Sequence, residues 1–131
     1  MSRCYLRWLF ALQFSIAVVV ESQAAELEIS KVTDGVYAAI RTEPPGLTFI
    51  SNTVFIINDE DVVVVDTGIG PGTARATIEA LKKLTLKPVR YVINTHWHDD
   101  HMMGNQAYRD AYPGVEFIGH ANAEAELMST G

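Results

Sequence analysis

Residues 95–101 contain three of the chain's four histidines together with two aspartates. His96 and His98 are two positions apart, so in an extended segment their imidazoles point to the same side. These two rings could bind one metal ion, while Asp100 and His101 turn toward a second. Neutral imidazole nitrogens and a carboxylate oxygen suit Zn²⁺, and also iron or manganese. The run therefore predicts a metal site that could hold two ions.

The chemistry that such a site supports is hydrolysis. A zinc ion with one position open for water lowers the pKa of that water to about 7 and so generates hydroxide at neutral pH. Two ions a few ångströms apart could hold that hydroxide between them and polarise a substrate carbonyl. A polar loop that happens to be rich in histidine is the alternative. The spacing H-x-H-x-D-H is, however, far more restrictive than a lone glycine motif.

The elements around this run alternate in an order that predicts an α/β layered fold. Residues 52–57 and 62–65 are two β-branched runs joined by a polar segment, which predicts a hairpin. The second run is four consecutive valines, which indicates a strand covered on both faces. The other predicted strands are residues 32–41, 90–94 and 115–118, the predicted helices are residues 73–84, 105–112 and 121–128, and residues 43–46 form a predicted loop.

Asp66 and the histidine run both follow predicted strands directly. Asp66 comes after the four valines, and Thr95 comes after the strand at residues 90–94. In layered α/β folds, functional sites collect at the carboxyl ends of strands. We therefore expect both segments to occupy such positions.

These features together resemble the metallo-β-lactamase superfamily. The resemblance rests on the motif at residues 95–101, on the buried strand that ends at residues 66–68, and on Gly104 and Asn105 at a helix start. It covers residues 32–128. It implies a metal-dependent hydrolase.

The resemblance also assigns roles to the individual residues. His96 and His98 would bind a first zinc ion. Asp100 and His101 would bind a second, and Asp100 would also act in catalysis by orienting the nucleophilic water. Asp66 would brace the site from outside the ligand set. The alternative for Asp66 is a turn-forming role, since Asp before Thr-Gly favours turns without any metal.

The fold implied by the resemblance is an αβ/βα four-layer sandwich built from two similar halves. Residues 25–131 would be the first half. In the family three further ligands, a His, a bridging Asp and another His, belong to the second half. We therefore expect the sequence to be a truncated N-terminal portion, with half of the metal shell.

The expected substrate is a small molecule with an amide, ester or thioester carbonyl. In having a histidine at position 101, the chain resembles glyoxalase II-like thioesterases, lactonases and one subclass of zinc β-lactamases. Two alternatives stay open: an iron-dependent redox member of the same superfamily, and an inactive fragment that only binds metal.

The N-terminus has the layout of a secretory signal peptide. Arg3 and Arg7 precede a mostly apolar run at residues 8–20, and small residues follow it. That run is shorter than the roughly 20 residues that span a bilayer, which argues against the alternative of a membrane anchor. Residues 1–24 are predicted to be removed, giving a periplasmic or secreted protein without stable membrane insertion.

Composition and the remaining candidate residues narrow the function further. The net charge is −6 and the basic residues are scattered, which argues against nucleic-acid binding. The only cysteine, Cys4, lies in the predicted signal peptide, so metal ligands must be His and carboxylates. His120 is predicted to be an ordinary histidine at a strand end, with a ligand role as the alternative. Trp97 is predicted to serve in packing, with the lining of a substrate pocket or the shielding of the metals as the alternative.

Overall fold

The computed structural model describes residues 27–42, 46 and 49–130. The predicted signal peptide and residues 43–45 of the predicted loop lie outside this part of the chain. Among the described residues, no helix is long and apolar enough to cross a membrane.

Strands and helices alternate along the second half of the described chain, as the sequence predicts. In chain order the elements are β1 (Leu27–Thr33), β2 (Val36–Arg41), β3 (Thr53–Ile57), β4 (Val62–Val65), α1 (Pro71–Leu84), β5 (Val89–Ile93), α2 (Asp99–Met102), α3 (Asn105–Ala111), β6 (Glu116–Ile118) and α4 (Ala121–Thr130).

These strands form one sheet in the order β1-β2-β3-β4-β5-β6. The first four strands are an antiparallel meander. β5 pairs in parallel with both β4 and β6. Parallel neighbours need crossover connections, which α1 provides between β4 and β5, and α2 with α3 between β5 and β6. The carboxyl ends of β4, β5 and β6 therefore meet at one edge of the sheet.

The predicted strand at residues 32–41 is in fact the end of one strand and the whole of the next. β1 ends at Thr33 and β2 begins at Val36, with a tight turn between them. Gly35 in this turn has a φ of 73°, and a Cβ there would lie 2.9 Å from the carbonyl oxygen of Ile57. Both facts favour glycine. The dipeptide Asp34-Gly35 favours a turn, whereas β1 mixes apolar with charged residues and gives a weak strand pattern.

The core lies against one face of the sheet. Val62 and Val64 are fully buried and pack in one cluster with Ile78 of α1 and with residues of α3. In the described part of the chain, Val63 and Val65 on the opposite face are only half-buried. The prediction of a strand covered on both faces therefore holds for one face, because α1 and α3 pack against that face.

Candidate metal centre

Asp66 and the histidine run lie side by side at the carboxyl edge of the parallel strands. Val65 pairs with Ile93, and the backbone N–H of Asp66 donates to the carbonyl of Ile93 at 2.9 Å. The loops that leave β4 and β5 therefore start from adjacent points. The expectation that both segments follow strand ends is confirmed.

The histidine run changes conformation halfway along its length. The segment before His98 is irregular, and α2 begins at Asp99 as a single helical turn that the sequence pattern does not predict. His101 donates its backbone N–H to the carbonyl of His98 at 2.9 Å. This turn brings the His101 ring next to the His96 ring, and the centroids of the two rings are 3.9 Å apart.

The predicted ligands meet as two pairs of donor atoms. His96 Nε2 and His98 Nδ1 are 3.1 Å apart. Asp100 Oδ2 and His101 Nε2 are 3.3 Å apart. Zinc binds nitrogen and carboxylate oxygen at about 2.0–2.2 Å, so two donors at either separation can share one ion. The donor chemistry and the spacing therefore fit zinc.

Neither pair is a closed ligand set. Within residues 27–42, 46 and 49–130, no three His, Cys, Asp or Glu side chains are arranged so that they could hold one ion together. The assignment of His96, His98, Asp100 and His101 as ligands stays a prediction. What the structure adds is that all four lie together at one sheet edge.

The Asp66 carboxylate holds the histidine run in place by hydrogen bonds. The Asp66 side chain is 7% exposed. Oδ1 accepts the backbone N–H of Thr95 at 2.9 Å, and Oδ2 accepts the Thr95 hydroxyl at 2.8 Å. Oδ2 also lies 2.8 Å from His101 Nδ1. The partners of this carboxylate are therefore some 30 residues away in sequence, and its role extends beyond forming its own turn.

The contact between Asp66 and His101 decides which ring nitrogen is available. An ionised carboxylate can only accept hydrogen bonds, so Nδ1 of His101 carries the hydrogen and its N–H donates to Asp66. The lone pair then lies on Nε2, the nitrogen that faces Asp100. Carboxylate–histidine pairs of this kind orient metal-binding imidazoles and make them more basic.

The sequence prediction assigns no supporting role to several residues that hold this edge together. The Ser51 hydroxyl donates to the carbonyl of Asp100, and Ser51 is buried. Thr67 and the amides of Asn94 and Asn105 contact one another around His101. The sequence marks Asn105 only as part of a helix start, and no local periodicity marks the other three residues.

Gly104 permits the closest approach at this edge. A Cβ at position 104 would overlap the carbonyl oxygen of Thr67 and would lie 2.7 Å from the Cβ of Ala74. The Gly104 N–H instead donates to the carbonyl of Gly68 at 3.0 Å. Only a residue without a side chain allows the joint between α2 and α3 to rest on the loop after β4.

The two remaining candidate residues flank the donor pairs. The Trp97 ring is partly buried and meets the His98 ring edge-on, with centroids 4.7 Å apart. His120 is exposed after β6, where its Nδ1 accepts the backbone N–H of Asn122 at 3.2 Å. Both residues line an open cavity of about 340 Å³ beside His96.

An α/β sheet that carries imidazole and carboxylate donors at the carboxyl edge of its parallel strands defines a metallohydrolase-like protein. Residues 46–130 match the metallo-beta-lactamase superfamily, and the chain belongs to that family. The resemblance drawn from the motif at residues 95–101, the α/β fold that it implies and the assignment to a hydrolase family are confirmed.

Individual relatives agree with this assignment. The chain is 45% identical over 67 residues to a hydroxyacylglutathione hydrolase of Gloeobacter violaceus, a match that covers 49% of this chain and 25% of the relative. A metallo-beta-lactamase from Pseudomonas aeruginosa in its mono-zinc form has a TM-score of 0.67 at 24% identity, covering 80% of this chain and 46% of that one. A metallo-beta-lactamase from Hirschia baltica has a TM-score of 0.67 at 26% identity, covering 80% and 48%. The chain thus spans a quarter of the hydroxyacylglutathione hydrolase and about half of each solved structure.

Proposed function

We propose that this protein is an exported zinc-dependent hydrolase that cleaves an ester, thioester or amide carbonyl of a small molecule. The main support for the proposal is that the candidate metal-ligand atoms lie in two close pairs next to Asp66. His96 with His98, and Asp100 with His101, each present two donor atoms close enough to share an ion. Zinc bound there would activate water as a nucleophile and polarise the substrate carbonyl.

The chain's own residues prepare the site for this chemistry. Asp66 holds the His101 ring with Nε2 directed toward Asp100. The same carboxylate holds Thr95 by its backbone and its hydroxyl, which sets the start of the run. The Asp100 side chain is 19% exposed, so its carboxylate can accept a hydrogen bond from water and orient it. His98 is exposed at the other side of the pair.

Within the carbonyl class we favour a thioester. Support comes from the relative at 45% identity, whose name describes hydrolysis of a hydroxyacyl thioester of glutathione. His at position 101 is compatible with a thioester, but the resemblance links the same residue to lactonases and to one subclass of zinc β-lactamases, so the preference rests on the relative alone. β-Lactams and lactones are the competing substrates.

The experiment measures metal content and hydrolysis on the full-length protein. We expect two zinc ions per chain and zinc-dependent cleavage of a hydroxyacyl thioester of glutathione, faster than that of a β-lactam or a lactone. A His98→Ala variant should lose both the first ion and the activity. The matched control is Gln106→Ala, an exposed position just beyond the site. Stoichiometric iron without zinc would replace the hydrolase proposal by the redox alternative.

Export is tested separately from catalysis. We propose that residues 1–24 are removed during export, because residues 1–25 combine a positive start, a short apolar run and small residues. N-terminal sequencing of protein recovered from outside the cytoplasm should begin at Ala25. Recovery of a chain that retains Met1 in the cytoplasm would overturn this part of the proposal.

A further inference from the structure

Three donor groups lie within hydrogen-bond distance of the backbone carbonyl oxygen of His101. The backbone N–H of Thr67 lies 2.8 Å from this oxygen, the Thr67 hydroxyl 3.2 Å and the Asn94 Nδ2 3.3 Å. α2 is only four residues long, so its last carbonyls have no partner inside the helix. Groups from the loops after β4 and β5 therefore satisfy the end of α2.

A pair of amides fixes the donors around this carbonyl. Asn105 Nδ2 donates to Asn94 Oδ1 at 2.8 Å, and Asn105 Oδ1 accepts from Asn94 Nδ2 at 3.2 Å. The Thr67 hydroxyl has one hydrogen, and it lies nearer to Asn105 Oδ1, at 2.9 Å, than to the His101 carbonyl, so it donates to Asn105. With the oxygen of each amide already facing a donor, neither amide can turn over without losing bonds. The pair links the end of β5, the loop after β4 and the start of α3.

His101 is thus held at two points, one on its side chain and one on its main chain. Asp66 holds the ring through Nδ1, at 2.8 Å. The backbone N–H of Thr67 and the amide of Asn94 hold the main chain through the carbonyl. A ring that is held only through Nδ1 could still swing about its backbone, which would move Nε2 relative to Asp100. Because both points are held, the position of Nε2 relative to Asp100 is fixed.

We infer that Asn94 and Asn105 are positioning residues that fix the His101 backbone so that the Asp66–His101 bond forms and Nε2 faces the second metal position. The inference rests on the proposed metal-binding function, and it adds residues to which neither the motif nor the family match assigns a role. It predicts that an amide outside the histidine run controls metal binding inside it.

The first measurement uses metal-free protein, so that its result does not depend on zinc. Long-range proton–nitrogen NMR of the imidazole rings, at a pH where they are neutral, reports which nitrogen carries the hydrogen. We expect His101 to be protonated at Nδ1 in the unaltered protein. In Asn105→Ala we expect a mixture of both tautomers, because the backbone is released. Gln106→Ala, the exposed neighbour on the same helix, should match the unaltered protein.

The second measurement is stepwise zinc affinity, determined by competition with a chelator. Loss of an outer partner of a metal ligand costs about 10- to 100-fold in affinity. We expect that loss at the Asp100–His101 position in Asn105→Ala, while affinity at His96–His98 changes by less than about twofold. The cobalt-substituted protein should lose the absorption of the second ion only.

A second variant keeps the inference testable if Asn105→Ala does not fold. Asn94→Ala removes the amide that donates directly to the His101 carbonyl, and it should give the same tautomer mixture and the same selective loss. Folding of each variant is checked by circular dichroism. Folded variants with an unchanged tautomer and unchanged second-site affinity would overturn the inference. If the unaltered protein binds no zinc, the proposed function fails, but the tautomer measurement still decides the role of the amides.

Discussion

Replacing Asp66 by Asn isolates the charge of the residue that holds the histidine run. Asp66 has a φ of 59°, a left-handed conformation in which Asp and Asn are among the few tolerated residues. The substitution therefore keeps both the backbone and the side-chain shape. What changes is one carboxylate oxygen, which becomes an NH₂ group that donates instead of accepting.

The size of the effect follows from the three partners of the carboxylate. The remaining oxygen can still accept the Thr95 N–H, and the Thr95 hydroxyl can turn to accept from the new NH₂. The third partner, His101 Nδ1, would face a donor with its own hydrogen at 2.8 Å. A hydrogen bond to a charged group contributes about 1.5–3 kcal/mol and one between neutral groups about 0.5–1.5 kcal/mol, so exchanging the first for the second should lower the free energy of unfolding by about 1–1.5 kcal/mol.

The effect on metal binding should exceed the effect on stability. To avoid the donor–donor contact, the His101 hydrogen moves to Nε2, and Nδ1 then accepts from the introduced NH₂ group. A protonated Nε2 has no lone pair for a metal ion. We therefore expect a loss of at least the 10- to 100-fold that an outer partner usually contributes, or about 1.4–2.7 kcal/mol, at the second position.

The assay combines urea unfolding of the metal-free protein with zinc titration of the folded protein. Asp99→Asn is the matched control, because it makes the same chemical change at an exposed residue of the same run. It should leave both quantities within about 0.5 kcal/mol of the unaltered protein. An Asp66→Asn protein that binds two zinc ions with unaltered affinity would refute the role assigned to the Asp66–His101 bond.

Three further substitutions test separate parts of the structure. His98→Ala should remove the first zinc ion while His101 keeps its tautomer, as metal analysis and imidazole NMR would show; two retained ions would contradict the ligand assignment. Gly104→Ala should lower the free energy of unfolding by about 1–3 kcal/mol in the same urea assay, because the added Cβ would overlap the Thr67 carbonyl. The control is Gly72→Ala, in open space on α1, which should be neutral or stabilising. Tyr108→Phe should not destabilise the protein, since the buried Tyr108 hydroxyl has no hydrogen-bond partner among the described residues; a loss above about 1 kcal/mol would show that it has one.

The position of the candidate site was predictable because its residues are local in sequence. The predicted ligands lie within residues 96–101, and their residue types alone indicate a metal. The strands that lead to the site were also predictable, since the four valines and the run at residues 90–94 match β4 and β5 closely. α2 was not predictable, because a single helical turn is too short to show a periodic pattern.

The support of the site was not predictable either, because it is set by strand register and crossovers. Ser51 contacts Asp100 across 49 residues, and Thr67 contacts Asn105 across 38. Side chains so far apart meet only once β4 and β5 pair in parallel and α2 folds back onto the loop after β4. A sequence pattern indicates which residues could bind an ion, but the fold decides whether their free nitrogens point at it. Substitutions outside the histidine run, at Asn94 or Gly104, should therefore impair the site as severely as many substitutions within it.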